Sequence, residues 1–165
     1  MSDARSFIYQ WAGSEWTKKI RSGWLRLDYL GGERFAQVGV KPGDQVFVVS
    51  VRVGELFLGG RVVVSAVCDL HTAASILTRD SDDLWPASQY VIAEPSTVSD
   101  LLPGLIVPAA VVDRLEMFSP GKKRRTVKRR DDGRIDPQTL RHLGELMPGS
   151  AQALTRELER KFSRV

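Results

Sequence analysis

The chain has 165 residues, 42% hydrophobic and 27% charged, which suits a globular protein with one sizeable core. No apolar run approaches the roughly 20 residues of a membrane-spanning helix, and the opening MSDARSFIYQW lacks a basic segment followed by a long apolar stretch; a soluble, cytoplasmic protein without membrane association is expected. Cys68 is the only cysteine, which excludes an intrachain disulfide and a cysteine-built zinc site, and with His71 and His142 as the only histidines neither metal nor cofactor is expected.

The elements follow in chain order. RSFIYQW alternates and carries aromatic and β-branched residues, which predicts a strand over Ser6 to Gln10. Ser14 as N-cap and Glu15 in the first turn predict a short helix over Glu15 to Arg21, ended by Gly23. Residues 25–40 read as a loop with short extended pieces, broken at Gly31-Gly32. In KPGD, Pro42 presets the first φ of a turn, Gly43 tolerates a positive φ and Asp44 can bond nearby backbone, so a strand over Gln45 to Arg52 follows. Gly54 marks a reversal, Leu56, Phe57 and Leu58 pair back, and Gly59-Gly60 permits a bend before Arg61 to Val67. The β-branched runs VFVVSV and RVVVSAV predict strands buried on both faces, as in a small closed barrel.

Residues 69–88 are polar and rich in turn formers, which predicts a connection wrapping the barrel. QYVIAEP predicts another strand, then an extended piece near Leu105 to Val107 and one helical turn after Pro108. Seven of the nine residues from Lys122 to Arg130 are basic, and Asp131-Asp132-Gly133 signals a turn after them. Ala151, Leu154, Leu158 and Phe162 share one face of an amphipathic terminal helix.

The formal charge of +4 is unevenly spread: residues 1–117 carry 11 Lys and Arg against 14 Asp and Glu, whereas residues 118–165 carry 13 against 6. Positive charge gathered in one stretch suits a polyanion, so Lys122, Lys123, Arg124, Arg125, Lys128, Arg129 and Arg130 are the candidate phosphate contacts. The nucleotide-loop, nucleophile-elbow and His-Glu-x-x-His signatures are missing, and no enzyme activity is expected. Asp80, Asp82 and Asp83 read as a solvated acidic loop. Trp11, Trp16, Trp24 and Tyr29 fall within nineteen residues. They either cap one end of the barrel or line a pocket in which a planar base stacks.

The strand ending in Trp11, the second tryptophan Trp16, the turn KPGD before QVFVVS, and LGGRVVVSAV returning as a strand resemble the PUA-like superfamily of small β-barrels. The similarity is to its EVE branch and to relatives attached to HNH nucleases in modification-dependent restriction. It covers residues 6–70 well and the rest loosely, with DGRIDPQTLRHLGELMPGSAQAL resembling segments that end such barrels in restriction proteins. The resemblance implies an α+β, mainly β fold: a PUA-like barrel over residues 1–118 with peripheral short helices, then a basic segment and C-terminal helix over residues 119–165.

It also implies a reader of modified bases such as 5-methylcytosine in double-stranded DNA. Trp11 and Trp16 would wall the base pocket, Ser50 and Arg52 would face its mouth, and Trp24 would stand nearby, although WLRLDYL occupies the place of the EVE segment W-x-G-V-R-N. Cleavage would need a nuclease domain or subunit, since no HNH motif is present. The related ASCH branch includes small amidohydrolases that use a lysine with nearby threonine and glutamate. WTKKI supplies Thr17 and Lys18 or Lys19, without a clear partner glutamate. Hydrolysis of a modified nucleoside is therefore one alternative, and RNA binding another.

Overall fold

A computed structural model of the chain describes residues 4–24, 26–118 and 123–163. The protein is α+β, built on a mixed eight-stranded sheet with a few short helices around it. The strands are β1 (Ser6–Gln10), β2 (Tyr29–Gly32), β3 (Gln45–Arg52), β4 (Glu55–Cys68), β5 (Gln89–Ala93), β6 (Glu116–Phe118), β7 (Arg124–Thr126) and β8 (Gly144–Leu146). The helices are α1 (Gly13–Arg21), α2 (Phe35–Val38), α3 (Leu70–Leu77), α4 (Ala109–Val112) and α5 (Pro148–Ser163). Strand order is β2-β5-β4-β3-β1-β8-β6-β7; β1 and β3 run parallel and the other neighbours are antiparallel.

The KPGD turn forms as its chemistry dictates. Asp44 N–H donates to the Lys41 carbonyl at 3.1 Å across Gly43 at φ +94°, a conformation glycine adopts without steric cost. The buried Asp44 carboxylate accepts from the backbone N–H groups of Lys41 at 3.0 Å and Arg5 at 2.9 Å, so one side chain shapes the turn into β3 and fixes where β1 begins.

Along β3, Phe47 and Val49 face one core and Val46 and Val48 another, all fully buried. Ile8 and Phe7 of β1 divide the same way, so these central strands are covered on both sides. The first core also holds Leu140, Leu146, Leu154 and Leu158; the second holds Trp11, Trp16, Leu30 and Phe35. β8 thus inserts between β1 and β6, and α5 packs into the core that β1 and β3 build.

At Gly59-Gly60, β4 carries a bulge. Leu58 pairs with Val49 and Gly60 with Val48, which leaves Gly59 as the extra residue, its carbonyl turned to Leu102 N–H at 2.8 Å. A Cβ on Gly59 would lie 3.0 Å from the Trp16 ring, so this glycine leaves room for the edge of the indole against β4. The bend therefore leaves one continuous strand where two were expected.

Other expectations need correction. Residues 69–88 begin with α3 because the Asp69 carboxylate caps Thr72 N–H at 2.8 Å and Ala73 and Ala74 bury against Tyr29, Tyr90 and Ile92. Residues 25–40 are more regular than a loop, containing β2 and α2. α1 starts at Gly13 behind Ala12, without the Ser14 side-chain cap. In α5 Phe162 lies 47% exposed, while Glu157 is buried and pairs with Arg160 at 3.3 Å. Among the described residues no helix is long and apolar enough to cross a membrane.

Candidate functional site

On α1 the face presented to the core is Trp16, Lys19 and Ile20, at the helical spacings that bring side chains together. Lys19 is fully buried there. Its ammonium donates to Glu15 one turn earlier at 2.5 Å, with glutamate N-terminal to lysine as helix geometry favours. The same Nζ lies 3.8 Å from the ring centroid of Trp11, 4.3 Å from Trp85 and 5.0 Å from Trp24. Three indoles thus enclose one lysine. Burial pushes its pKa down to about 8 despite the opposing pull of Glu15.

Outward from this box lies a cavity of about 610 Å³, walled by Trp24, Tyr29 and Trp85 and bordered by Arg26, Asp28, Arg79 and Asp83. Trp24 comes from the turn after α1, Tyr29 from β2, Arg79 from the end of α3 and Trp85 from the segment before β5. Two tyrosines hold Trp85: its N–H donates to the Tyr29 hydroxyl at 2.8 Å, and its carbonyl accepts from the Tyr90 hydroxyl at 2.6 Å. Burial raises the pKa of both tyrosines, so the hydroxyls stay protonated. Trp24 Nε1 donates to the Arg26 carbonyl at 2.6 Å, and Asp28 pairs with Arg79 across the rim. Trp24 and Tyr29 stack at 4.7 Å between centroids and 21° between planes, too close for a base to enter between them as they stand.

No protein-family model, curated protein or solved structure matches this chain.

The candidate residues divide sharply. Trp24 is on the cavity wall. Trp11 and Trp16, 1% and 0% exposed, lie in the core behind it; the Trp11 ring meets Trp24 at 5.6 Å and Trp16 at 6.0 Å. Their indole N–H groups are buried without a hydrogen-bond partner among the described residues. Ser50 is fully buried and donates to the Trp11 carbonyl at 2.8 Å, which fixes the end of β1 against β3. Arg52 stands opposite Glu55 at the hairpin end of β3, away from the cavity lining.

Within the described part of the basic run, Arg124 and Arg125 belong to β7. Lys123, Arg124, Lys128, Arg129 and Arg130 are exposed, and Lys122 lies outside the described residues. Arg125 is a structural bolt, because its guanidinium donates to the Thr139 and His142 carbonyls at 2.9 Å each and is half-buried against the sheet. Arg124 pairs with Glu116 at 2.8 Å and Arg129 with Asp113 at 3.0 Å. Arg130 N–H closes the Asp131-Asp132-Gly133 turn on the Arg134 carbonyl at 2.7 Å.

The cavity and the basic run sit at opposite ends of the strand order, β2 and β7. At about 4.8 Å per strand, the seven steps between these edge strands span at most about 34 Å, and coiling of the sheet shortens this.

Lys19 and Trp85 are the important residues that sequence reading left unassigned or undecided. Their signals were a lysine on the apolar face of α1, spaced i,i+4 from Glu15, and a lone Trp-Pro pair in an acidic segment.

Proposed function

We propose that the protein is a reader of modified bases in DNA, built on a PUA-like barrel, with the base seated in the cavity of Trp24, Tyr29 and Trp85. The observation that carries this reading is the coincidence of three aromatic side chains with four charged groups around one concavity of about 610 Å³. A flipped base needs planar walls for stacking, worth about 1–3 kcal/mol per base, and a few fixed polar groups to read its edge. Arg26, Asp28, Arg79 and Asp83 offer donors and acceptors of both kinds. Lys123, Arg124, Lys128, Arg129 and Arg130 supply sequence-independent, salt-sensitive contacts to the backbone. Cleavage accompanying recognition belongs to a separate nuclease domain or subunit.

The test is binding to matched duplexes carrying cytosine, 5-methylcytosine, 5-hydroxymethylcytosine or N6-methyladenine at low and moderate salt, with Trp85→Ala beside the wild type. A preference for one modified duplex that survives added salt is expected. Trp85→Ala should lose it while keeping the salt-sensitive component. A folded Trp85→Ala protein with the preference intact overturns the assignment.

The Lys19–Glu15 pair favours a second reading, hydrolysis of a modified nucleoside, because a lysine with its pKa lowered to about 8 is partly unprotonated and nucleophilic near neutrality. Against it, the Lys19 side chain is 0% exposed, so substrate would reach Nζ only after an indole moved. Nucleoside turnover abolished by Lys19→Met supports this reading; no turnover in the wild type removes it.

A further inference from the structure

Each aromatic wall of the cavity already has a cation of the protein beside it. Lys19 Nζ lies 4.3 Å from the Trp85 centroid and 5.0 Å from that of Trp24, and the Arg79 guanidinium carbon lies 5.8 Å from that of Tyr29. All three distances fall within the roughly 6 Å over which a ring quadrupole attracts positive charge. A box made to capture a cationic ligand leaves that attraction for the ligand, whereas here the protein's own cations take it up, Lys19 from behind the indoles and Arg79 from the rim.

The internal cation is also fixed. Lys19 is fully buried, carries the Glu15 ion pair at 2.5 Å and makes a third ring contact with Trp11 at 3.8 Å, so it does not leave to admit a competitor. At the rim, two arginines face two aspartates, and Asp28 and Arg79 neutralise each other directly. The positive charge behind the indoles is therefore offset mainly by Glu15 alone. A cationic ligand against these rings meets like charge in a poorly screened setting, while a neutral base keeps the full stacking contact.

We infer that the cavity selects electrically neutral methylated bases and rejects their cationic isomers, and that Lys19 sets this preference. The inference rests on the base-reading proposed above and adds the chemical class of the ligand. Lys19 acts through the rings rather than by touching the base, so it is a positioning and specificity residue.

The experiment uses isomers that place one methyl group differently. N3-methylcytosine and N1-methyladenine carry a positive charge near neutral pH, whereas 5-methylcytosine and N6-methyladenine do not. Single-stranded oligonucleotides with one such base remove differences in base pairing. The wild type is expected to bind the neutral member of at least one pair tenfold or more tightly.

Because the methyl position also changes shape, the deciding quantity is how this ratio moves in two folded variants. Lys19→Met removes the cation and should narrow the ratio at least threefold; Glu15→Gln, read at a pH low enough to keep Lys19 protonated once the pull of Glu15 is lost, removes the compensating charge and should widen it. Should Lys19→Met fail to fold, Glu15→Gln still tests the sign. Binding that persists with an unmoved ratio in the folded variants overturns the inference and leaves the base-reading standing. Indifference of the wild type to every methylated base, both here and in the duplex panel, removes both.

Discussion

Replacing Lys19 by methionine, of similar length and uncharged, should change how stability depends on pH in a calculable way. In the folded protein the ammonium is buried and its pKa falls to about 8, against an ordinary 10.5. A group whose pKa is lowered by folding binds fewer protons folded than unfolded between these two values, so stability rises with pH across that interval. Below pH 8 the cost of the buried charge is fully present; above 10.5 it is relieved. At about 1.4 kcal/mol per tenfold change, the Lys19 contribution grows by about 2.5 kcal/mol between pH 7 and pH 10.

Urea unfolding of wild type and Lys19→Met at half-unit pH steps measures it. The raised pKa values of Tyr9, Tyr29, Tyr90 and Cys68 lower stability at high pH in both proteins and cancel in the difference. The wild-type minus variant difference should climb by about 2.5 kcal/mol, mostly above pH 8. Parallel curves from pH 7 to pH 10 would refute the reasoning, since they mean that folding leaves this lysine's proton affinity unchanged.

Trp16→Ala removes a ring with 0% exposure and should destabilise the fold by about 3–5 kcal/mol, lowering the melting temperature by about 10 °C or more in calorimetry. An Ala variant with unchanged melting would contradict its place in the core. Arg125→Ala strands the Thr139 and His142 carbonyls and should cost about 2 kcal/mol of stability. Lys128→Ala and Arg130→Ala, by contrast, should melt like the wild type while each reduces the salt slope of DNA binding by about one. Equal behaviour of all three substitutions in both assays would remove the distinction between bolt and contact.

The strands were legible wherever local signals agree with the pattern of burial. β1, β3 and β5 fall where the alternation and the β-branched runs put them, because turn chemistry at KPGD and Gly54 confines β3 at both ends. α3 was missed because Asp69 and Thr72 look like loop residues until the carboxylate caps the helix and two alanines bury beneath it. The site was half legible. The aromatic density around Trp11 to Tyr29 is plain in the chain, but which rings face the core depends on α1 turning Trp16 inward and on β3 covering Trp11. Trp85 joins them through Tyr29 and Tyr90, pairings between residues 56 and 5 positions apart, and only the second is local.

The position of β1 bears on how the chain reaches its folded state. One side of the strand pairs with β3, which follows it soon in synthesis, and the other with β8; Arg5 and Glu145, joined at 2.9 Å, are 140 residues apart. While the polypeptide emerges from the ribosome, the first hairpin and β1 can associate, yet an open edge and an uncovered apolar face persist until Gly144–Leu146 and α5 arrive. Such an edge is a template for pairing with another nascent chain, and closure across so long a loop is slow. Substitutions that weaken β8 should therefore reduce the yield of folded protein in cells through the time spent with that edge bare, even when they leave ligand affinity in the purified protein untouched.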